Sequence, residues 1–188
     1  MLIDAFEPHA NFVSARSVAI AAPSRRVWEA LPMLPVALRR SRVAAVAALP
    51  LLAASLLRGD LLRGTLPFGA APWVLREGEV LLGSRRDLEG DAVHSTVLVV
   101  GPIDAGHEVV LLGRHRFASF ATCFVVDPVN SRRSRTDNVT RATFTSGTVG
   151  TLYTAGVRVF HDAYTDWMLR TLRGLAEQPV RARRPLSS

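Results

Sequence analysis

The stretch Thr148–Glu177, TVGTLYTAGVRVFHDAYTDWMLRTLRGLAE, decides how the rest of the chain is read. Its apolar residues step by three or four: Tyr153, Val157, Phe160, Tyr164, Met168, Leu172 and Leu175. Leu152, Gly156, Val159, Ala163 and Trp167 lie beside them. That is the period of an α-helix with one wide apolar face. The opposite face carries Thr154, Arg158, Asp162, Thr165, Arg170, Arg173 and Glu177, side chains that water satisfies without protein partners. A helix so lopsided needs a sheet to cover it.

Working outward, the 188 residues suffice for one domain and its core. Basic residues number 23 against 16 acidic, a net charge of +7, and every basic residue is Arg. Phosphate- and membrane-binding surfaces usually mix Lys with Arg, so the charge reads as composition, and a nucleic-acid partner is not expected. Net charge speaks to solubility and association, not to fold. Cys123 is the single cysteine, which rules out an internal disulfide and suits a reducing, cytoplasmic setting. Residues 1–11 carry Asp4 and Glu7 and lack the basic start and apolar core of a signal peptide. The most membrane-like run, Val43–Leu57, holds about fifteen residues interrupted by Pro50, short of the roughly 20 that a spanning helix needs. It reads as a buried or lid helix.

Phe12–Ile20 (FVSARSVAI) has the β-branched content and alternation of a strand and ends at Ala21-Ala22-Pro23, where Pro suits the first turn of a helix. Two short helices follow. Pro23–Leu34 puts Val27, Trp28, Leu31 and Leu34 on one side and Arg25, Arg26 and Glu29 on the other, with Pro32 and Pro35 ending or kinking it. Val36–Leu57 begins basic and turns apolar all round, closing at Gly59. From Pro72 onward, short apolar runs separated by Gly, Asp, Asn and Pro have the punctuation of an antiparallel meander. Six candidates are Trp73–Arg76, Val80–Leu88, Val93–Val100, Glu108–Arg116, Ala118–Asp127 and Asp137–Thr145. With the first strand they make seven. The segment Asp127–Thr136 reads as a polar, mobile loop, and residues 179–188 as a disordered basic tail after a single domain spanning 1–178. Both faces of Ala118–Val126 are fairly apolar, as a sheet wrapped around a helix requires. The expected class is α+β.

Ser17–Leu31 (SVAIAAPSRRVWEAL) resembles the opening of the START-like, helix-grip superfamily of polyketide cyclases, lipid-transport and related SRPBCC proteins. There a first strand reaches an A-A-P corner and a helix bearing V-W-x-A-L follows. The resemblance covers about residues 12–177. More narrowly, Asn138-Val139-Thr140-Arg141 running into an aromatic terminal helix looks like actinobacterial SRPBCC proteins. It implies a seven-stranded curved antiparallel sheet around the long C-terminal helix, with a hydrophobic cavity between them and Val36–Leu57 as a lid. The fold carries binding, transport and cyclisation chemistry through different cavity residues, so no single activity is implied.

The chain lacks H-x-x-x-H and C-x-x-C pairs and Gly-rich phosphate loops, so no metal and no cofactor is expected. His161, preceding Asp162 at the border of the two helix faces, is a candidate for ligand binding or proton transfer; a packed histidine is the plainer alternative. In Glu108–Arg116, alternation sends Arg114 and Arg116 to one face and His115 to the other. Either His115 faces the cavity as a polar group in an apolar wall, or the arginines do and form an anion site, or the arginines lie in solvent. Cys123 reads as a small core residue, because nothing nearby in sequence marks an activating base. Candidate ligand-binding residues are Trp73, Arg114, His115, Phe120, Phe124, Tyr153, Phe160, His161 and Tyr164, with His161 and His115 as weak catalytic candidates. The expected function is binding of a small hydrophobic molecule, such as a lipid, isoprenoid or polyketide-like compound, without covalent catalysis. The alternatives are a cyclase or aromatase using cavity His, Tyr and Arg, and an interaction protein working through the arginines of the Asn130–Arg135 loop and the tail. A homodimer is compatible with any of these.

Overall fold

The computed structural model describes residues 1–7, 9–40, 71–83, 97–115, 118–144 and 148–178, with the side chains of 39–40, 115 and 148–160 outside the described set. The chain opens with a single 3-10 turn, Leu2–Ala5, and enters β1, Phe12–Ile20. Burial along β1 alternates as the sequence does: Phe12 and Ser14 are buried, Val13 and Ala15 exposed. Helix α1, Ser24–Ala30, starts behind Pro23; a 3-10 turn containing Pro32, Leu31–Met33, then leads into α2, Leu34–Arg40. Pro32 cannot donate to the helical ladder, so the helix tightens and restarts there. The remainder of the expected lid, 41–57, and the tail 179–188 lie outside the described residues.

The sheet strands are β2 Val80–Leu82, β3 Val97–Asp104, β4 Glu108–His115, β5 Ala118–Asn130 and β6 Arg133–Phe144, followed by α3, Thr148–Glu177. Among the described residues they form one antiparallel sheet of six strands in the order β1-β6-β5-β4-β3-β2. The last strand thus lies beside the first, and α3 crosses the face between them. This is the α+β helix-grip architecture, with six strands instead of seven. Trp73–Arg76 is not a strand: the Trp73 amide donates to the Pro32 carbonyl (2.8 Å) and the Arg76 amide to Val74 (3.0 Å). Sheet pairing begins only past the turn at Gly78 (φ 80°), where the Gly78 amide reaches the Val100 carbonyl. Asp127–Thr136 is not a loop either. Strands β5 and β6 pair out to Asn130 and Arg133, and the Asn130 carboxamide oxygen accepts from the Arg132 amide (2.9 Å), closing a tight turn.

The main core lies under α3. Leu169, Leu172 and Ala176 pack against Val27, Leu31, Leu34 and Leu38 of the short helices and against Leu98, Val100, Leu111, Phe124 and Val126 of the sheet. Each such aliphatic side chain contributes about 1.5–3 kcal/mol on burial. The sheet's other face has a smaller cluster, Val110, Ala121, Cys123 and Val125, covered by Ile3 of the N-terminal turn. Both faces of β5 are therefore buried, but only one looks at α3.

Candidate functional site

Cross-strand register maps the face that α3 covers. Ser14 of β1 opposes Thr140 of β6, which opposes Thr122 of β5; one step along, Arg16 opposes Asn138. Residues directly opposite in an antiparallel pair share a face and nearly touch, so these five side chains form a polar island. Its borders are mostly apolar: Phe12, Ala142 and Phe120 on one side, Val18 and Val126 with Thr136 between them on the other, Leu111 and Phe124 on the third. The island is wired internally. Asn138 Nδ2 donates to Thr122 Oγ1 (3.1 Å) and to the Cys123 carbonyl (2.9 Å), and Thr140 donates to Thr122 (2.8 Å). Asn138 and Thr140 are buried, as is Thr136 beyond them, whose hydroxyl has no hydrogen-bond partner among the described residues. Buried polar groups are tolerated when bonded in this way, and an orphan costs about 1–3 kcal/mol.

One turn of α3 closes over the island. Asp162 accepts from the Ser14 hydroxyl (2.8 Å) and pairs with the Arg16 guanidinium, whose Nε also lies 3.9 Å from Asp166. Burial works against the Asp162 charge, but the Ser14 and Arg16 hydrogen bonds prevail and hold its carboxyl below the usual range. His161 turns inward. Its ring meets Phe12 edge to face at 5.2 Å, and Nδ1 is 3.5 Å from the buried Thr165 hydroxyl. Burial, aided by the Arg16 charge and opposed by Asp162, lowers the His161 pKa and so favours the neutral imidazole. Thr165 and Asp162 thus leave the solvent face that helical periodicity assigns them: the polar island beneath offers partners that water alone need not supply.

The other predicted residues distribute unevenly. Phe120 and Phe124 line the α3 side of the sheet, Phe124 fully buried. Tyr164 packs against the main core with Trp167 at 5.9 Å, and burial raises its phenol pKa. Trp73 lies at the junction of the short helices with the β2 edge, lining a cleft of about 280 Å³ with Val74, Val80 and Leu81. Arg114 occupies the opposite side of the sheet, in a groove of about 200 Å³ with Phe6, Leu112 and Ala121. His115 ends β4 opposite Ala118; its side chain, like those of Tyr153 and Phe160 on α3, lies outside the described residues. Cys123 is fully buried on the Ile3 side, and burial followed by the Glu108 charge pushes its thiol up to about 12. Among the described residues no three His, Cys, Asp or Glu side chains gather as metal ligands, and no helix is long and apolar enough to cross a membrane.

Ser14, Arg16, Thr122, Asn138, Thr140 and Thr165 were not among the sequence candidates. A signal for the strand residues exists: alternation along Arg133–Phe144 puts Ser134, Thr136, Asn138 and Thr140 on the same face as Ala142 and Phe144. Polar residues sharing a face with a buried Phe mark an internal polar surface. The Asn138-Val139-Thr140 sequon belongs to this buried row and offers no amide to a glycan in the folded chain.

No family model matches the chain, and no curated protein does. Solved structures resemble it in fold. A START superfamily protein from Mycobacterium smegmatis is 10% identical over 88% of this chain and 97% of its own, with a TM-score of 0.49. The Zhui aromatase/cyclase from a Streptomyces species is 12% identical over 91% and 96%, at 0.45. Truncated norcoclaurine synthase from Thalictrum flavum is 13% identical over 89% and 94%, at 0.49. At such identities the likeness concerns the fold alone. The order of elements, the pairing of first strand with last and the helix laid across them give this chain a START-like, helix-grip fold.

Proposed function

We propose that this chain binds a small, largely apolar molecule between α3 and the curved sheet, and anchors one neutral hydrogen-bonding group of that molecule at the polar island. The observation that carries the reading is the island itself, five polar side chains enclosed by Phe12, Phe120, Phe124, Leu111 and Val126. An apolar wall with a few converging polar groups is the usual make-up of a small-molecule site. The island's charges are spent internally, Arg16 on Asp162 and Asp166, so it favours a hydroxyl or carbonyl over a carboxylate. Lipid, isoprenoid and polyketide-like molecules meet this description. Native mass spectrometry of the purified protein, with titration of a fluorescent long-chain alcohol and the matching fatty acid, tests it. The expected result is a bound apolar species and tighter binding of the alcohol, both weakened by Thr140→Val; failure of every apolar probe to bind refutes it.

A second reading, a cyclase-like enzyme, draws on half-buried His161, whose lowered pKa favours the neutral ring that can accept a proton. It needs two of its suspects in one pocket: Arg114 lies on the opposite side of the sheet from His161, whereas Tyr164 shares the α3 side with it. Turnover of a poly-β-keto thioester that His161→Phe abolishes, with probe binding retained, would favour it over simple binding.

A further inference from the structure

The arginines of the β5–β6 turn play no part in the site above, and the fold gives them company. Ser134 pairs with Ile20 and its hydroxyl donates to the Ala22 carbonyl (2.9 Å), which sets the turn beside the corner between β1 and α1. The same corner receives the end of α3: the Ala21 amide donates to Glu177 (2.8 Å), and Arg26 to the Gln178 carbonyl. Three separate stretches therefore meet at one end of the molecule. The acids there are occupied, Glu29 by Arg25, Asp137 by Arg135, Asp127 by His107 and Glu177 by the Ala21 amide. Arg132 and Arg133 are exposed and have no acidic partner among the described residues, and Arg26 spends its charge on a neutral carbonyl. Near the end of β5, at the irregularity just before the turn, Val129 is 63% exposed, the most exposed large apolar side chain among the described residues, and follows exposed Pro128.

We propose that this corner, which carries Arg26, Arg132 and Arg133 with exposed Val129 beside the turn, docks the protein onto an anionic lipid bilayer. Guanidinium groups pair well with headgroup phosphates and carboxylates, and an exposed apolar side chain gains by entering the boundary between headgroups and acyl chains. The apolar residues decide between partners. Val129 and Pro128 gain little against a nucleic-acid backbone, whereas two weak signals, charge and a small apolar insertion, together suffice for reversible membrane binding. The surface is separate from the polar island, so it can be tested without reference to any bound molecule.

The test is co-sedimentation of the full chain with phosphatidylcholine vesicles containing 30 mol% phosphatidylserine, and with pure phosphatidylcholine, at 50 and 500 mM salt. Binding is expected only to the anionic vesicles and to weaken with salt. The exposed double substitution Arg132→Gln with Arg133→Gln lowers the partition coefficient about 30-fold, from about 1 kcal/mol per arginine near the surface and tenfold per 1.4 kcal/mol. Val129→Asp also lowers it, while Arg76→Gln, whose side chain pairs with Glu79 near β2, leaves it unchanged. No association with anionic vesicles at 50 mM salt overturns the proposal, as does association that the double substitution leaves intact. Retention of a DNA duplex in place of vesicles, lost in the same variant, overturns it in favour of a nucleic-acid surface.

Discussion

Replacing Gly113 by Ala tests how closely the sheet is packed beside the polar island. A Cβ built at Gly113 would lie 2.0 Å from Phe120 Cζ, 2.3 Å from Cε2 and 2.6 Å from Cε1. Carbon atoms rest at about 3.5–4.0 Å, so the ring must retreat by about 1.5 Å or more, and Phe120 packs both on the main core and against the cluster of Phe12, Ala118, Ala142 and Phe144. Overpacking of this kind costs about 1–3 kcal/mol. Against it stands the stabilisation of about 0.5–1 kcal/mol from removing a glycine in a strand. The net is a loss of about 1–2 kcal/mol, which for a chain of this size is a fall in Tm of about 3–8 °C. Chemical denaturation of Gly113→Ala, Phe120→Ala and the double variant reads it directly. Without the ring the added methyl meets no obstacle, so in the Phe120→Ala background the same glycine change becomes neutral or stabilising, a coupling of about 1–2 kcal/mol or more. A Gly113→Ala variant as stable as the parent, or one whose cost persists once Phe120 is gone, refutes the reasoning.

Asn138→Leu removes the amide that serves Thr122 and the Cys123 carbonyl; Thr122 keeps the Thr140 hydroxyl as donor, but losing the amide from the buried carbonyl of Cys123 costs about 1–3 kcal/mol, seen as a lower denaturant midpoint at unchanged m-value. The half-buried imidazole of His161 makes the protein less stable in acid. With the His161 pKa lowered on folding, its contribution is complete above the unfolded value near 6.5 and declines as pH falls from there toward the folded value, by up to about 1.4 kcal/mol per pH unit. A His161→Phe variant whose stability still falls with the same slope between pH 6.5 and 5 contradicts this. The charges around the ring set the direction of two further shifts: by NMR titration, Arg16→Gln raises the His161 pKa and Asp162→Asn lowers it. Cys123, fully buried with its thiol pKa pushed up to about 12, stays unreactive to a thiol reagent at pH 8 until the protein is denatured.

Local patterns carried most of the architecture. The terminal helix agrees with its expected bounds, Thr148–Glu177, because seven apolar steps at helical spacing outweigh any single residue. Strand β1 agrees likewise, with Pro23 marking the helix that follows. The errors occur where local composition and long-range pairing conflict. Trp73–Arg76 looks like a strand by its Trp, Val and Leu, yet the Trp73 amide finds the Pro32 carbonyl, some forty residues away in sequence. Asn130–Arg135 looks like a loop by polarity, yet cross-strand hydrogen bonds extend β5 and β6 through it.

The candidate site divides along the same line. Periodicity by itself determined that α3 has a wide apolar face and that the strands alternate, which was enough to place Phe120, Phe124 and Tyr164 in the packing between helix and sheet. It could not determine that Ser14, Thr122 and Thr140 stand abreast, because register depends on strands about 18 and 126 residues apart in the chain being hydrogen-bonded to one another. Nor could it say which side of the sheet the helix covers, and that decides the fate of Arg114 and Asp162. A polar residue on a helix is read as solvated unless something buried can satisfy it. Only the tertiary structure brings Ser14 and Arg16 beneath Asp162 and Phe12 against His161, and so makes an inward surface of residues that local sequence assigns to water.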